Sequence, residues 1–116
     1  MDIKRKKRIE ESIQRELGRM LLQYPRHQIF SKITITVVDV SLDLAVAKVF
    51  FSLFEDVDLQ EVMEVLNQEA GFFRKLLAKG LNLRMTPRLN FAYDEALQRS
   101  RKIIDLIDEA VLSDQQ

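Results

Sequence analysis

The sequence contains no cysteine and no tryptophan, and it has only two prolines and three glycines in 116 residues. Without cysteine, a disulfide framework, a thiolate zinc site and a thiol nucleophile are excluded. Scarce proline and glycine, with no repeated or low-complexity segment, argue against linkers and solenoid repeats. We therefore expect a single domain over residues 1–116, frayed at about residues 1–4 and 112–116. A chain of this length buries roughly two-thirds of its unfolded surface.

Long apolar runs are also missing. No segment reaches the ~20 apolar residues of a membrane span. The charged start MDIKRKKRIEES leads into no apolar stretch of signal-peptide length. We expect a cytoplasmic protein that does not engage a membrane.

The formal net charge is zero, yet the charges are sorted along the chain. Residues 1–8 carry five basic side chains against Asp2, and residues 71–90 carry five basic side chains and no acid. Residues 55–70 and 105–116 are acidic and contain no base. A single charged run is usually a solvated face. Two separate basic runs favour a surface that meets an anion.

Apolar spacing predicts the first helix. Its stripe has residues three and four apart, namely Ile9, Ile13, Leu17, Met20, Leu21 and Tyr24. Pro25 ends it. The opposite row is predominantly basic and is available to a partner; it consists of Arg8, Ser12, Arg15 and Arg19.

Three segments read as strands. ITITVVDV at 33–40 is rich in β-branched residues and alternates, and residues 45–54 form a second candidate. Ser41 and Asp43 between them are turn residues, which predicts a hairpin. LNFAY at 89–93 follows Pro87 and alternates again.

Helices are predicted between and after these strands. Asp58 is a good N-cap for a helix that we expect to end near Glu69. Gly71 costs ~1 kcal/mol relative to alanine inside a helix, so a break or kink is predicted at Ala70 and Gly71, followed by a second helix. Asp94 precedes a final helix. The order α-β-β-α-α-β-α predicts an α+β fold with helices on one face of a three-stranded sheet.

In the second of these paired helices, the core residues and the basic residues lie on different sides. Phe73 is assigned to the core, whereas Phe72 is left open between the core and stacking on bases. Lys75 and Lys79 lie on the solvent side, and Arg74 stands at the margin. The solvent side is therefore cationic.

Candidate catalytic groups are weak. The carboxylates near strand ends are Asp39, Asp43, Asp94 and Glu95. Turn and capping roles explain Asp43 and Asp94, and the sequence has no P-loop, nucleophile elbow or dinucleotide fingerprint. His27 is the only histidine, so it has no second imidazole for a metal, and a solvated loop position is expected. We predict no enzyme activity and no cofactor.

Several segments resemble the bacterial ribosome-binding factor A family. They are RIEESIQRELGRML, VVDVSLDLAVAKVFFS, GFFRKLL and LNLRMTPRLNFAYDEAL, and together they span about residues 8–107. The most specific are VSLDLAVAKV and LRMTPRLNFAYD. The resemblance implies a type II KH-like domain in which a kink joins the paired helices in place of the GxxG loop of other KH modules. The sequence indeed lacks GxxG.

The resemblance also implies a function. Members of this family bind the free small ribosomal subunit, contact 16S rRNA, support processing of its 5′ end, and matter most in the cold. None performs chemistry. The family kink commonly reads Ala-x-Gly, whereas this chain has Glu69, Ala70 and Gly71. The loop from Tyr24 to Arg26 is shorter than usual and lacks the customary aspartate before proline.

The leading hypothesis is therefore a non-catalytic, monomeric assembly factor that binds 16S rRNA and uses no small-molecule substrate. Its expected phosphate contacts are Lys4, Arg5, Lys7, Arg8, Arg15, Arg19, Arg74, Lys75, Lys79 and Arg84. The alternative is an adaptor domain that docks a protein through the acidic helix at 58–67 or through the first helix. A hydrolase or metal enzyme is the third hypothesis, and it requires Asp43 and Asp94 to meet in a cleft.

Overall fold

The computed structural model describes residues 2–24, 26–54 and 56–96. Within these ranges the chain forms two α-helices, one short 3₁₀ helix and three strands. They are α1 (Ile3–Gln23), the 3₁₀ helix (Gln28–Lys32), β1 (Ile33–Val40), β2 (Val46–Leu53), α2 (Leu59–Gly80) and β3 (Arg88–Tyr93). After Asp94, Glu95 and Ala96 are helical, where the sequence predicts the start of a final helix; the rest of that predicted helix falls outside the described residues.

The three strands form one mixed sheet in the order β1-β2-β3. β1 and β2 are antiparallel, which confirms the predicted hairpin, whereas β2 and β3 are parallel. The register of β1 shifts between Ile35 and Val37, so Thr36 forms a bulge. Ile33 and Ile35 point into the core before the bulge, and Val38 and Val40 do so after it. The bulge therefore keeps both halves of the strand in contact with the core.

Both helices pack on the same face of the sheet. α1 contacts β1, α2 contacts β3, and the two helices contact each other. The rings of Tyr24 and Phe72 meet at 5.8 Å between centroids, while Gly80 at the end of α2 lies beside Glu16. The helices are therefore antiparallel. This arrangement confirms the predicted α+β fold with helices on one face of a three-stranded sheet.

The buried face of α1 is the stripe that the sequence predicts. Ile9, Ile13, Leu17, Met20 and Leu21 are all buried in the core. Burial of one such aliphatic side chain contributes roughly 1.5–3 kcal/mol. Most of the stability of this helix therefore comes from its contact with the sheet.

α2 differs from the prediction. It is one helix of 22 residues that continues through Ala70 and Gly71, so the expected division into two helices is wrong. Leu66 and Phe73, one turn before and one after Ala70, are both fully buried on the same stripe. Their burial, at roughly 1.5–3 kcal/mol each, outweighs the ~1 kcal/mol cost of glycine in a helix. A bend of the helix axis at Ala70 and Gly71 stays a prediction.

Candidate nucleic-acid interface

Asp43 and Asp94, the two carboxylates that the hydrolase hypothesis requires to meet, are separated in the structure. Asp43 lies in the turn before β2, whereas Asp94 follows β3 and donates its amide to the Phe51 carbonyl near the end of β2. Because β2 and β3 are parallel, these two positions are at opposite ends of the sheet. Asp94 accepts a hydrogen bond from Thr36 Oγ1 at 2.8 Å. The acid and base pair of the hydrolase hypothesis is therefore absent.

The part of the chain that the structure describes contains neither a metal-binding cluster nor a membrane-spanning helix. No three histidine or carboxylate side chains lie close enough there to hold a metal ion. Among the same residues, neither helix has the length and apolar character needed to cross a bilayer.

The outward face of α1 carries the predicted basic row. Lys4, Arg8 and Arg15 are exposed on the side of the helix opposite its buried stripe. Within the described residues Arg15 has no ion pair or hydrogen bond of its side chain. Arg19 is exposed too, but its Nη2 lies 2.6 Å from Glu16 Oε2, so that charge is partly neutralised. Glu11 is exposed within the same row, so the row is not uniformly cationic.

The outward face of α2 divides into two halves. Glu61 and Glu64 are exposed in its N-terminal half, and Lys75 and Lys79 are exposed in its C-terminal half. This distribution matches the helix dipole, which favours acids near the first turn and bases near the last. For Glu61 in the first turn and Lys79 in the last turn, the stabilisation is about 0.3–1 kcal/mol each. It does not prevent the lysines from binding a ligand.

The two helices bring their basic residues together. Because the helices are antiparallel, the second half of α2 runs beside the second half of α1, as the contacts of Phe72 with Tyr24 and of Gly80 with Glu16 show. The outward residues of these halves form one surface, which we call the helical basic face. It consists of Arg15, Arg19, Lys75 and Lys79, all of them exposed.

The first turns of α1 distribute their charges differently. Lys7 is exposed seven residues before Gln14, whose amide donates to the Thr36 carbonyl of β1, so Lys7 lies on the flank above β1. Lys6 binds both Glu10 Oε2 and Asp39 Oδ1 at 3.1 Å. These hydrogen bonds, led by the one to Glu10, raise the pKa of Lys6 above its usual value of 10.5. Lys6 therefore stabilises the packing of α1 on β1.

Arg74 has a structural contact that the sequence did not indicate. Its Nε and Nη2 donate to the Thr86 carbonyl at 3.2 and 3.0 Å. The guanidinium thereby holds the segment between α2 and β3 against the helix. Arg84, in that segment, is exposed at the end of the molecule where α1 begins, near Arg5.

A cluster of polar and aromatic side chains lies where α1 ends. Arg26 Nε is 2.8 Å from Glu69 Oε2, and its guanidinium carbon is 4.2 Å from the centre of the Phe72 ring. His27 Nε2 is 3.2 Å from Glu69 Oε1, and the imidazole packs against Phe30. His27 is therefore half-buried and partnered, which corrects the expectation of a solvated loop histidine.

The two adjacent phenylalanines, Phe72 and Phe73, differ in burial and in their neighbours. Phe73 is buried among the core residues Phe30 and Phe91, as predicted. Phe72 is half-buried between Tyr24 and the guanidinium of Arg26. The sequence did not lead us to include Arg26 among the expected RNA-binding residues. Its position just after Pro25, in a short loop, was the only feature of the sequence that pointed to it.

The chain is similar to known proteins over most of its length. The family model described as Ribosome-binding factor A matches residues 5–107. A protein named ribosome-binding factor A from Coxiella burnetii is 40% identical over 110 residues, covering 95% of this chain and 92% of the relative. One of the same name from Pseudomonas paraeruginosa is 40% identical over 116 residues, covering 97% and 91%.

Solved structures described as ribosome-binding factor A are also similar to this chain. The crystal structure of ribosome-binding factor A from Thermus thermophilus has a TM-score of 0.68 over 76% of this chain and 94% of that one, at 23% identity, which supports the fold alone. The solution structure of a Thermotoga maritima protein described as a putative ribosome binding factor A has a TM-score of 0.63 at 32% identity, covering 79% and 89%.

Proposed function

The chain belongs to the ribosome-binding factor A family, and from this premise we propose that it binds the free small (30S) ribosomal subunit through 16S rRNA. There it supports late maturation, including processing of the 5′ end of 16S rRNA, in the cytoplasm and above all in the cold. The binding is non-catalytic and uses no cofactor or small-molecule substrate. A homology model of the Thermus thermophilus ribosome binding factor A, which has a TM-score of 0.62 and 21% identity to this chain, has been fitted into the cryo-EM map of a complex of that factor with the 30S subunit.

The helical basic face is the observation that carries this proposal. Arg15, Lys75 and Lys79 are exposed and have no ion pair or hydrogen bond of their side chains within the described residues. Lysine and arginine that neutralise phosphates release condensed counterions, which favours binding at moderate salt. Such contacts fix the position of a protein on RNA without reading its sequence. This property suits a factor that recognises a folded rRNA surface.

A monomer suits the same proposal. The buried stripes of α1 and α2 are used within the chain, where they pack on the sheet. Among the described residues, the charged side chains on the outward faces of both helices are exposed and can meet rRNA.

The test is cosedimentation of the protein with purified small subunits. We expect Lys75→Glu/Lys79→Glu to weaken binding by about 10- to 100-fold, since two charge-assisted contacts become repulsive. A matched control is Lys48→Glu/Arg88→Glu, which makes the same change in net charge at exposed positions of β2 and β3. The control should bind nearly as the wild type does. Equal binding by both double variants would contradict a role for the helical basic face.

If the chain instead docks a protein partner through the acidic N-terminal half of α2, binding experiments give a different result. In that case Glu61→Lys/Glu64→Lys would abolish binding, and the wild-type protein would stay attached to its partner after RNase treatment. For rRNA binding we expect RNase to release the protein and the acidic-half variant to bind at least as tightly as the wild type.

A further inference from the structure

A pocket of about 490 Å³ lies at one end of the molecule. The start of α1, the turn between β1 and β2, and the segment between α2 and β3 meet there. Its lining consists of two arginines and two apolar side chains, namely Arg5, Leu44, Arg84 and Met85. Pockets of roughly 300–1,000 Å³ are the size that small organic ligands occupy.

The two arginines have no partner among the described residues. Arg5 and Arg84 are both exposed, and neither side chain makes an ion pair or a hydrogen bond there. Asp43, next to Leu44 in the chain, is engaged elsewhere: it accepts hydrogen bonds from the Ser41 hydroxyl at 2.7 Å and from the Ala45 amide at 3.0 Å. Two guanidinium groups in one pocket repel each other unless an anion lies between them. Their planar donors suit the oxygens of a phosphate.

The apolar wall of the pocket includes a residue in an unusual conformation. Leu44 has φ of 62°, the left-handed region that leucine adopts only at an energetic cost. Glycine or asparagine would fit the turn with less strain. The leucine side chain instead packs partly on the core and forms one wall of the pocket. Met85, which also lines the pocket, is 49% exposed, so apolar surface remains open beside the arginines.

We propose that this pocket binds one unstacked nucleotide of single-stranded RNA. Its phosphate lies between Arg5 and Arg84, and its base packs on Leu44 and Met85. Bases in a duplex are stacked on each other and cannot reach such a wall, whereas splayed bases of single strands can. The inference rests on the proposed function and adds a preference for unpaired RNA at this end of the molecule.

Fluorescence anisotropy of the full chain tests this pocket. The probes are a labelled single-stranded RNA of eight nucleotides, the same oligonucleotide made of abasic riboses, and a hairpin with eight base pairs. Arg5→Gln/Arg84→Gln should weaken binding of the single strand about 10-fold or more. Met85→Ser should weaken it by about 3- to 10-fold and leave the abasic strand and the hairpin unchanged. Lys48→Gln/Arg88→Gln, with equal loss of charge outside the pocket, is the matched control and should have less than about 2-fold effect.

Different outcomes separate this pocket from the proposed function. If the abasic strand binds as tightly as the normal one, or if Met85→Ser has no effect, the contact is to phosphate alone and the nucleotide pocket is overturned. A peptide of eight glutamates that competes better than the RNA strand would also overturn it in favour of an acidic protein segment. Failure of the wild-type protein to cosediment with small subunits would instead overturn the proposed function. Thermal unfolding of each variant excludes loss of fold as the cause.

Discussion

The side chain of Glu69 is paired with residues of a loop that is distant in the sequence. Its carboxylate is only 10% exposed, in the middle of α2, and its neighbours are Arg26 and His27 from the loop after α1. The loop cations compensate for a carboxylate that the helix buries.

This arrangement predicts asymmetric effects on stability. Arg26→Ala/His27→Ala should lower the free energy of unfolding by about 1–3 kcal/mol, because it leaves a buried carboxylate without partners. Glu69→Ala should cost less than about 1 kcal/mol, because the half-exposed cations can be hydrated instead. Urea denaturation measures both. Adding Glu69→Ala to the loop variant should restore part of its stability, and the absence of any recovery would show that the carboxylate is not the cause.

Asp43 predicts a pH dependence in the turn between β1 and β2. The hydrogen bond from the Ser41 hydroxyl, with that from the Ala45 amide, lowers the pKa of Asp43 below its usual value of 3.8. The turn is therefore stabilised fully above pH 3.8, and this contribution is lost as the pH falls through the lowered pKa. Carboxyl NMR titration should place the midpoint of Asp43 below 3.8. Ser41→Ala should move that midpoint upward, while an unchanged midpoint would exclude the serine as the cause.

Local residue roles were predictable where the partner lies nearby in the chain. Asp58 caps α2 by accepting a hydrogen bond from the Gln60 amide, and Asp43 forms its turn within two residues. The partners of Glu69 were not predictable, because Arg26 and His27 lie far from it along the chain, in the loop after α1. Arg74 was assigned to RNA, and its bond to the Thr86 carbonyl depends on a loop path that a single sequence does not determine.

At the scale of elements, α2 is the informative case. Gly71 is exposed in its middle, and a Cβ added there would meet no atom within 4 Å. The position thus tolerates alanine sterically. The helix is held instead by the buried residues on either side of the glycine, Leu66 and Phe73.

Gly71→Ala is therefore expected to stabilise the protein by about 0.5–1 kcal/mol, through higher helix propensity and a less flexible unfolded chain. Gly18→Ala in α1, where a Cβ also meets nothing within 4 Å, is the matched control and should give a similar gain. Thermal or urea denaturation measures both. A gain at Gly18 with a loss at Gly71 would indicate that the axis of α2 bends at this glycine.

Strands were predicted better than the paired helices for a physical reason. Alternation of β-branched residues and a turn rich in hydrogen-bonding side chains are local signals, and β1 has the predicted bounds, Ile33–Val40. The continuity of α2 depends on a sheet that accepts its apolar stripe along the whole length. Whether the ~1 kcal/mol cost of glycine interrupts the helix depends on how much burial that packing provides, and the sequence alone does not give it.

At the scale of the whole molecule, zero net charge coexists with a directional surface. The helical basic face is on the side of the helices that points away from the sheet, whereas the exposed acids of α2 are confined to its first half. The sum of charges therefore says little about binding. The distribution of charges over the folded surface decides it.

Salt dependence provides the corresponding measurement. The logarithm of the binding constant for small subunits should fall linearly with the logarithm of salt concentration. Replacing Lys75 and Lys79 by glutamine should reduce the slope by about one unit for each phosphate that is no longer neutralised. Lys48→Gln/Arg88→Gln should leave the slope unchanged. A slope near zero for the wild-type protein would be inconsistent with binding through phosphates.

The parallel pairing of β2 with β3 has a consequence for how the chain folds. The hairpin of β1 and β2 closes a short loop, but β3 can pair with β2 only after the whole of α2 has been accommodated between them. Such non-local pairing has a higher entropic cost of closure and is slower to form. Arg84 and Met85 lie in the segment that leads into β3. A chain still emerging from the ribosome that makes it therefore lacks this end of its surface until synthesis has passed β3.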